Sequence, residues 1–113
     1  MATVQECEEA LSRLAQKLGE VHPEAWARHA VDRSVSCRVS DLDLAYATRI
    51  TKTGLDPFVP TEDPRTAQVR LTMKSADLLD LAADRISPAK AWATGRLKIE
   101  ASLLDLVRLR KIL

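Results

Sequence analysis

A chain of 113 residues, 46% of them hydrophobic, fits one globular domain spanning residues 1–113, able to bury roughly two-thirds of the surface its unfolded form exposes. With 17 Lys and Arg against 16 Asp and Glu, the formal charge is +1, so no broad basic field exists to hold nucleic acid or an anionic membrane. Aromatic residues make up only 4%, which leaves the core to Leu, Val, Ile and Ala and favours aliphatic partners over nucleobases.

Thr3 followed by Glu6 has capping-box spacing, and Val4, Cys7, Leu11, Leu14 and Leu18 then recur at three- and four-residue steps until Gly19. This predicts an amphipathic helix, too short for a coiled coil and therefore packed on a sheet or another helix. From Pro23, PEAWARHAV predicts one or two helical turns anchored by Trp26. At Ser34 the period changes to two. Val35, Cys37 and Val39 alternate with polar residues, and after Ser40-Asp41 the pattern resumes through Leu42, Leu44, Tyr46, Thr48 and Ile50, as expected of two antiparallel strands joined by a tight turn.

TKTGLDPFVPTEDPRT, rich in proline, predicts a loop with a short edge strand around Leu55 to Val59. Ala67, Val69, Leu71 and Met73 predict another half-buried strand. Ser75 is the expected cap of the next helix, with Asp77 in its first turn and Leu78, Leu79 and Ala82 on its apolar face. In SPAKAWATG, Ser87 caps, Pro88 takes the first helical position and Gly95 stands just past the end. Leu97, Ile99 and Ala101 form the last alternating strand, with Arg96, Lys98 and Glu100 outward, and Ser102 with Asp105 opens a final helix. The expected class is α+β: a mainly antiparallel sheet with one wet face and helices over the apolar one.

Motifs for chemistry are lacking in the sequence. Cys7 and Cys37 lie outside any CxxC spacing and read as buried free thiols of a reducing cytosol. His22 and His29 are separated by Pro23, which keeps them off one helical face, so no metal site is expected. There is no GxSxG, no Cys-His spacing and no glycine-rich phosphate loop, and Asp80 with Asp84 reads as a solvated helix face. Neither enzyme activity nor a cofactor is expected. Without a signal peptide or an apolar run long enough to span a bilayer, the expected compartment is the cytoplasm.

LTMKSADLLDLAADR, then ISPAKAWATGRLKI, then a terminal amphipathic helix resemble the sterol carrier protein 2 family, with Ser87, Pro88, Ala91, Gly95, Leu97 and Ile99 carrying most of the likeness. The similarity runs roughly from Arg33 to the end. It implies a five-stranded sheet with helices on one face, enclosing a hydrophobic tunnel for fatty acyl chains, acyl-CoA or sterols. Two departures stand out. Ala101-Ser102 occupies the place where the family commonly has Gly-Asp, and Lys111-Ile112-Leu113 replaces the Ser-Lys-Leu address of some eukaryotic members, so the peroxisomal receptor is not expected to bind.

On the final helix, Leu103, Leu106, Val107, Leu109 and Leu113 form a broad stripe, while Leu104 and Ile112 fall outside it, so apolar surface faces two directions. Three readings stay open: an ordinary core helix, a pocket wall whose outer side makes transient membrane contact, and a homodimer contact. Arg108, Arg110 and Lys111 suit the negative end of the helix dipole. The candidate pocket lining is Val39, Leu44, Tyr46, Leu71, Met73, Leu78, Trp92, Leu97, Leu103, Leu106 and Val107, in which Met73 adapts its shape and Trp92 offers one donor. A rigid void of about 300 Å³ would cost about 7 kcal/mol, so such a pocket either collapses or retains a lipid. The expected function is non-catalytic binding of an apolar ligand, a fatty acid, acyl-CoA or sterol-like lipid, with its transfer left open. The alternative is a protein-interaction or dimerisation module built on the last helix.

Overall fold

The structure is a computed structural model and describes residues 2–18, 20 and 23–113. Helix α1 spans Val4–Leu18 and starts on a reciprocal capping box, in which the Glu6 N–H donates to Thr3 Oγ1 (3.1 Å) and the Thr3 N–H donates to Glu6 Oε1 (3.0 Å). It buries Cys7, Ala10, Leu11 and Leu14 along one side. Gly19, the expected stop, and His22 lie outside the described residues. Helix α2, Pro23–His29, holds Trp26 at 2% exposure.

Strands β1 (Arg33–Val39) and β2 (Leu44–Thr51) pair antiparallel with Cys37 opposite Tyr46, across a turn in which Asp43 takes φ +52°. The predicted edge strand is two short pieces, β3 (Gly54–Leu55) and β4 (Val59–Pro60), both paired with β2. Pro57 lies between them and offers no backbone donor, which breaks the edge into two.

β5 is Val69–Met73, α3 Ser75–Ala82, α4 Pro88–Ala93, β6 Lys98–Glu100 and α5 Leu103–Ile112. The sheet order is β3-β2-β1-β5-β6, with β4 beside β3 on the same edge of β2. It is mixed and has six strands, where the sequence reading expects five and mainly antiparallel pairing: β5 runs parallel to β1, with Cys37 opposite Leu71. A parallel neighbour needs a long crossover. The proline-rich segment provides it, passing through a 3₁₀ turn at Pro64–Thr66 that lies against β1 and β2.

Alternation along the strands sends Val35, Cys37, Val39, Val69, Leu71, Met73 and Ile99 to the face that the helices cover. Two apolar clusters form there. One joins α1, α3 and α4 to Cys37, Val39, Tyr46 and Met73; the other joins α2 and α5 to Val35, Ile50 and Val69. Leu71, Trp92 and Ile99 touch both.

Several local expectations are corrected by packing. Ser75 is the first residue of α3 rather than its cap; its N–H and hydroxyl both donate to Asp41 of the β1–β2 turn (2.8 and 2.6 Å). The Asp80 and Asp84 pair is not a bare solvated face. Asp80 accepts from Arg96 (2.6 Å) and Arg85 (3.1 Å), and Asp84, at φ +59°, receives Lys17 of α1 (2.6 Å), whose ammonium also reaches the Ala82 carbonyl. Helix α4 follows its sequence signals closely, with Ser87 Oγ accepting from the Lys90 N–H (3.2 Å), Pro88 first, and Gly95 at φ +81° beyond the end.

Helix α5 opens where expected, with Ser102 Oγ accepting from the Asp105 N–H (3.2 Å), but it is turned. Its buried face is Asp105, Leu109 and Ile112, whereas Leu103 is 80% exposed and Val107 44%. Asp105 sets the phase: its carboxylate accepts from Arg33 Nε of β1 (3.2 Å) and from Arg108 (3.1 Å). No described helix is long and apolar enough to cross a membrane.

Candidate functional site

Where the two apolar clusters meet, the sheet and helices leave a chamber of about 70 Å³. Helix α1 contributes Leu11, Leu14 and Leu18, α2 Trp26, and α3 and α4 Leu81 and Pro88. The sheet floor is Val35, Cys37, Ile50, Leu55, Val69, Leu71, Met73 and Ile99, flanked by Phe58 and Leu97, and α5 closes it with Leu109 and the adjoining Leu113. No charged, hydroxyl or amide side chain is among these. A void of this size costs about 1.7 kcal/mol at about 24 cal/mol per Å³, a burden a domain tolerates. It is far below the ~300 Å³ of even a small ligand pocket, so it does not hold a lipid tail in this form.

Of the predicted lining, Leu71, Met73 and Leu97 reach the chamber. Val39 and Leu78 are fully buried elsewhere in the larger cluster. Tyr46 is buried there too, its hydroxyl donating to Glu8 of α1 (3.2 Å), and burial together with Glu8 pushes it up to about 12. Leu44 packs at the end of the sheet, Trp92 bridges the clusters, and Leu106 is half-buried on α5 outside the chamber. Leu103 and Val107 face away from it. The same alternation that points to Val39 also points to Val35 and Cys37. What it lacks is the level along the strand at which the helices part.

Outside the chamber, α4 and α5 flank a groove of about 560 Å³ lined by Ala89, Trp92, Ala93, Arg110 and Leu113. Leu113 borders both spaces. A larger hollow of about 960 Å³ opens on the other face of the sheet, lined by Arg38, Arg65, Arg70, Asp43, Glu62, Asp63 and Glu100 among others. Its mixed charges and open shape suit water, and it shares only Leu71 with the apolar chamber.

The thiols are buried and unpaired. Burial, then Cys7, pushes Cys37 up to about 12, and burial followed by Asp41, Glu6 and Glu8 raises Cys7. Among the described residues no group of His, Cys, Asp and Glu gathers as a metal would require.

Residues 6–113 match the model of the SCP-2 sterol transfer family. A curated relative, non-specific lipid-transfer protein-like 1 of Caenorhabditis elegans, is 26% identical over 57 residues, half of this chain and 48% of that protein. The chain thus aligns with about half of that relative's length. Palmitated sterol carrier protein 2-like 2 of Aedes aegypti has the same fold, with a TM-score of 0.60 at 13% identity over 98% of this chain and 94% of the other. The inverting sec-alkylsulfatase Pisa1 from Pseudomonas sp. contains a similar unit, with a TM-score of 0.56 at 18% identity covering 88% of this chain and 15% of the sulfatase.

Proposed function

Since the chain belongs to the SCP-2 sterol transfer family, we propose that residues 1–113 act as one non-catalytic unit that binds a fatty acid, acyl-CoA or sterol-like lipid and passes it between surfaces in the cytoplasm. The observation that carries this reading is the chamber, lined by apolar side chains drawn from every layer of the fold. The palmitate on the Aedes aegypti neighbour supports an aliphatic ligand.

Loading must enlarge the chamber, because even a small drug-sized pocket holds about 300 Å³. The groove between α4 and α5 lies next to it, with Leu113 between the two spaces. A tail lying in the groove enters past Leu113 as the two helices part, and burial returns about 0.8 kcal/mol per methylene, so two or three methylenes offset the void. Leu71, Met73 and Leu97 then line the tail together with Val35, Trp26 and Leu109. Leu103 and Leu104, 80% and 59% exposed, with Arg110 and Lys111 nearby on α5, are the side that touches a membrane during transfer.

Mass spectrometry of an organic extract of the purified protein, with displacement of a fluorescent fatty acid, tests the proposal. A co-purified lipid or saturable displacement is expected; a clean extract together with no probe binding removes it. A second reading, favoured by the same exposed leucines, makes α5 a homodimer contact or a dock for an enzyme. Light scattering decides that: Leu104→Glu splits a dimer on this reading, and a native monomer eliminates the dimer.

A further inference from the structure

We propose that Arg110 is the headgroup site of the groove between α4 and α5 and selects ionised fatty acids, one tail and one carboxylate, over neutral lipids; this deepens the lipid-binding reading and rests on it. Of the cations on α5, Arg108 is paired with Asp105 (3.1 Å), whereas Arg110 and Lys111 form no ion pair among the described residues. Only Arg110 of the three lines the groove. Its companions there are Ala89, Trp92, Ala93 and Leu113, so it is the single charged side chain, and unlike the chamber the groove presents polar surface.

The cation stands beside the way in. The Leu113 N–H donates to the Leu109 carbonyl (3.0 Å), which carries the helical geometry to Leu113. Arg110, three residues earlier, therefore shares a face with the residue that borders both spaces, their Cβ atoms about 5–6 Å apart. No Lys, Arg or His lines the chamber, so a carboxylate drawn inside would be a buried charge without a counter-ion. The tail accordingly points into the chamber and the carboxylate stays in the groove, where a planar guanidinium can offer it two parallel N–H donors. One cation balances one carboxylate. The several phosphate charges of a CoA headgroup would find no second cation in this groove. Leu103 and Val107, seven and three residues before Arg110, share its side of α5, so a fatty acid leaving a membrane meets this cation at the surface.

Decanoate and 1-decanol share a tail and differ in charge at neutral pH. Their affinities are measured by isothermal titration calorimetry at low ionic strength for the native chain, Arg110→Gln, Arg110→Glu and Lys98→Gln. Lys98 is exposed on β6, outside the groove, and its loss changes the net charge equally. Arg110→Gln should weaken decanoate about two- to fivefold, the range of one exposed ion pair, and leave decanol within about 1.5-fold. Arg110→Glu should weaken decanoate further, and Lys98→Gln should leave both probes as they were. Decanoate unmoved by both Arg110 variants, decanol weakened as much as decanoate, or Lys98→Gln matching Arg110→Gln overturns the headgroup site and leaves lipid binding standing. So does a native chain that takes decanol and not decanoate. If neither probe binds the native chain, lipid binding itself fails and the headgroup site with it.

Discussion

Cys37 sits in the middle of β1 with no exposure to water, on the floor of the chamber. At about 12, its thiol is thiolate to only about one part in ten thousand at pH 8. Alkylation by iodoacetamide at that pH should therefore be negligible in the native protein and go to completion in urea, read by mass spectrometry. Fast native labelling would mean that the interior opens far more often than its packing implies. Tyr46, raised by the same burial, is likewise a packing residue tied to α1 through Glu8. At this scale the interior around β1 is chemically inert: its thiols are protonated and unpaired, and the Tyr46 hydroxyl is spent on Glu8.

Among the elements, α3 depends on a residue remote in sequence. Asp41 holds Ser75 by two hydrogen bonds, and these bonds, side chain first, keep its carboxyl below the usual carboxylate range. The folded value is depressed, so the stabilisation is fully present above the ordinary value near 3.9 and is lost as pH falls through the folded one. Asp41→Asn should flatten the fall of the urea midpoint as the pH drops below about 4, and an unchanged slope would count against the contact. Asp80, held down by Arg96 and Arg85, keeps part of the acid response in that variant.

Helix α5 divides cleanly by face. Leu109→Ala, which empties a position 7% exposed, should cost about 2–5 kcal/mol by urea unfolding, while Leu103→Ser should stay within about 0.5 kcal/mol. Equal costs would mean that the outer face is covered.

For the whole molecule, so small a chamber means that lipid uptake, as proposed above, would couple opening to binding. Any lipid that prefers the native chain raises its stability by about 2.7 kcal/mol at a concentration of 100 times the Kd, a thermal shift of about 10 °C for a domain of this size. Differential scanning fluorimetry across a fatty-acid titration reads this directly. A flat melting temperature alongside measured binding would mean that the lipid binds the unfolded chain equally well.

Strands, helix starts and the family could be read from local signals, because alternation, capping pairs and the Pro88 and Gly95 punctuation act over a few residues. The candidate site was legible only as a face. Leu71, Met73 and Leu97 share it with Val39 and Tyr46, and no periodicity says which of them sits beneath a gap between helices. The phase of α5 was hidden for a similar reason: hydrophobic residues cover most of that helix, and the pairing of Asp105 with Arg33, 72 positions away, selects the side that turns inward. Asp41 on Ser75 and Lys17 on Asp84 likewise join residues 34 and 67 positions apart. Short-range patterning thus determined which segments are helix or strand and which sides are apolar. Where those sides leave a space and which oily residues face it were decided only by tertiary packing, since cavities and long-range ion pairs belong to several elements at once.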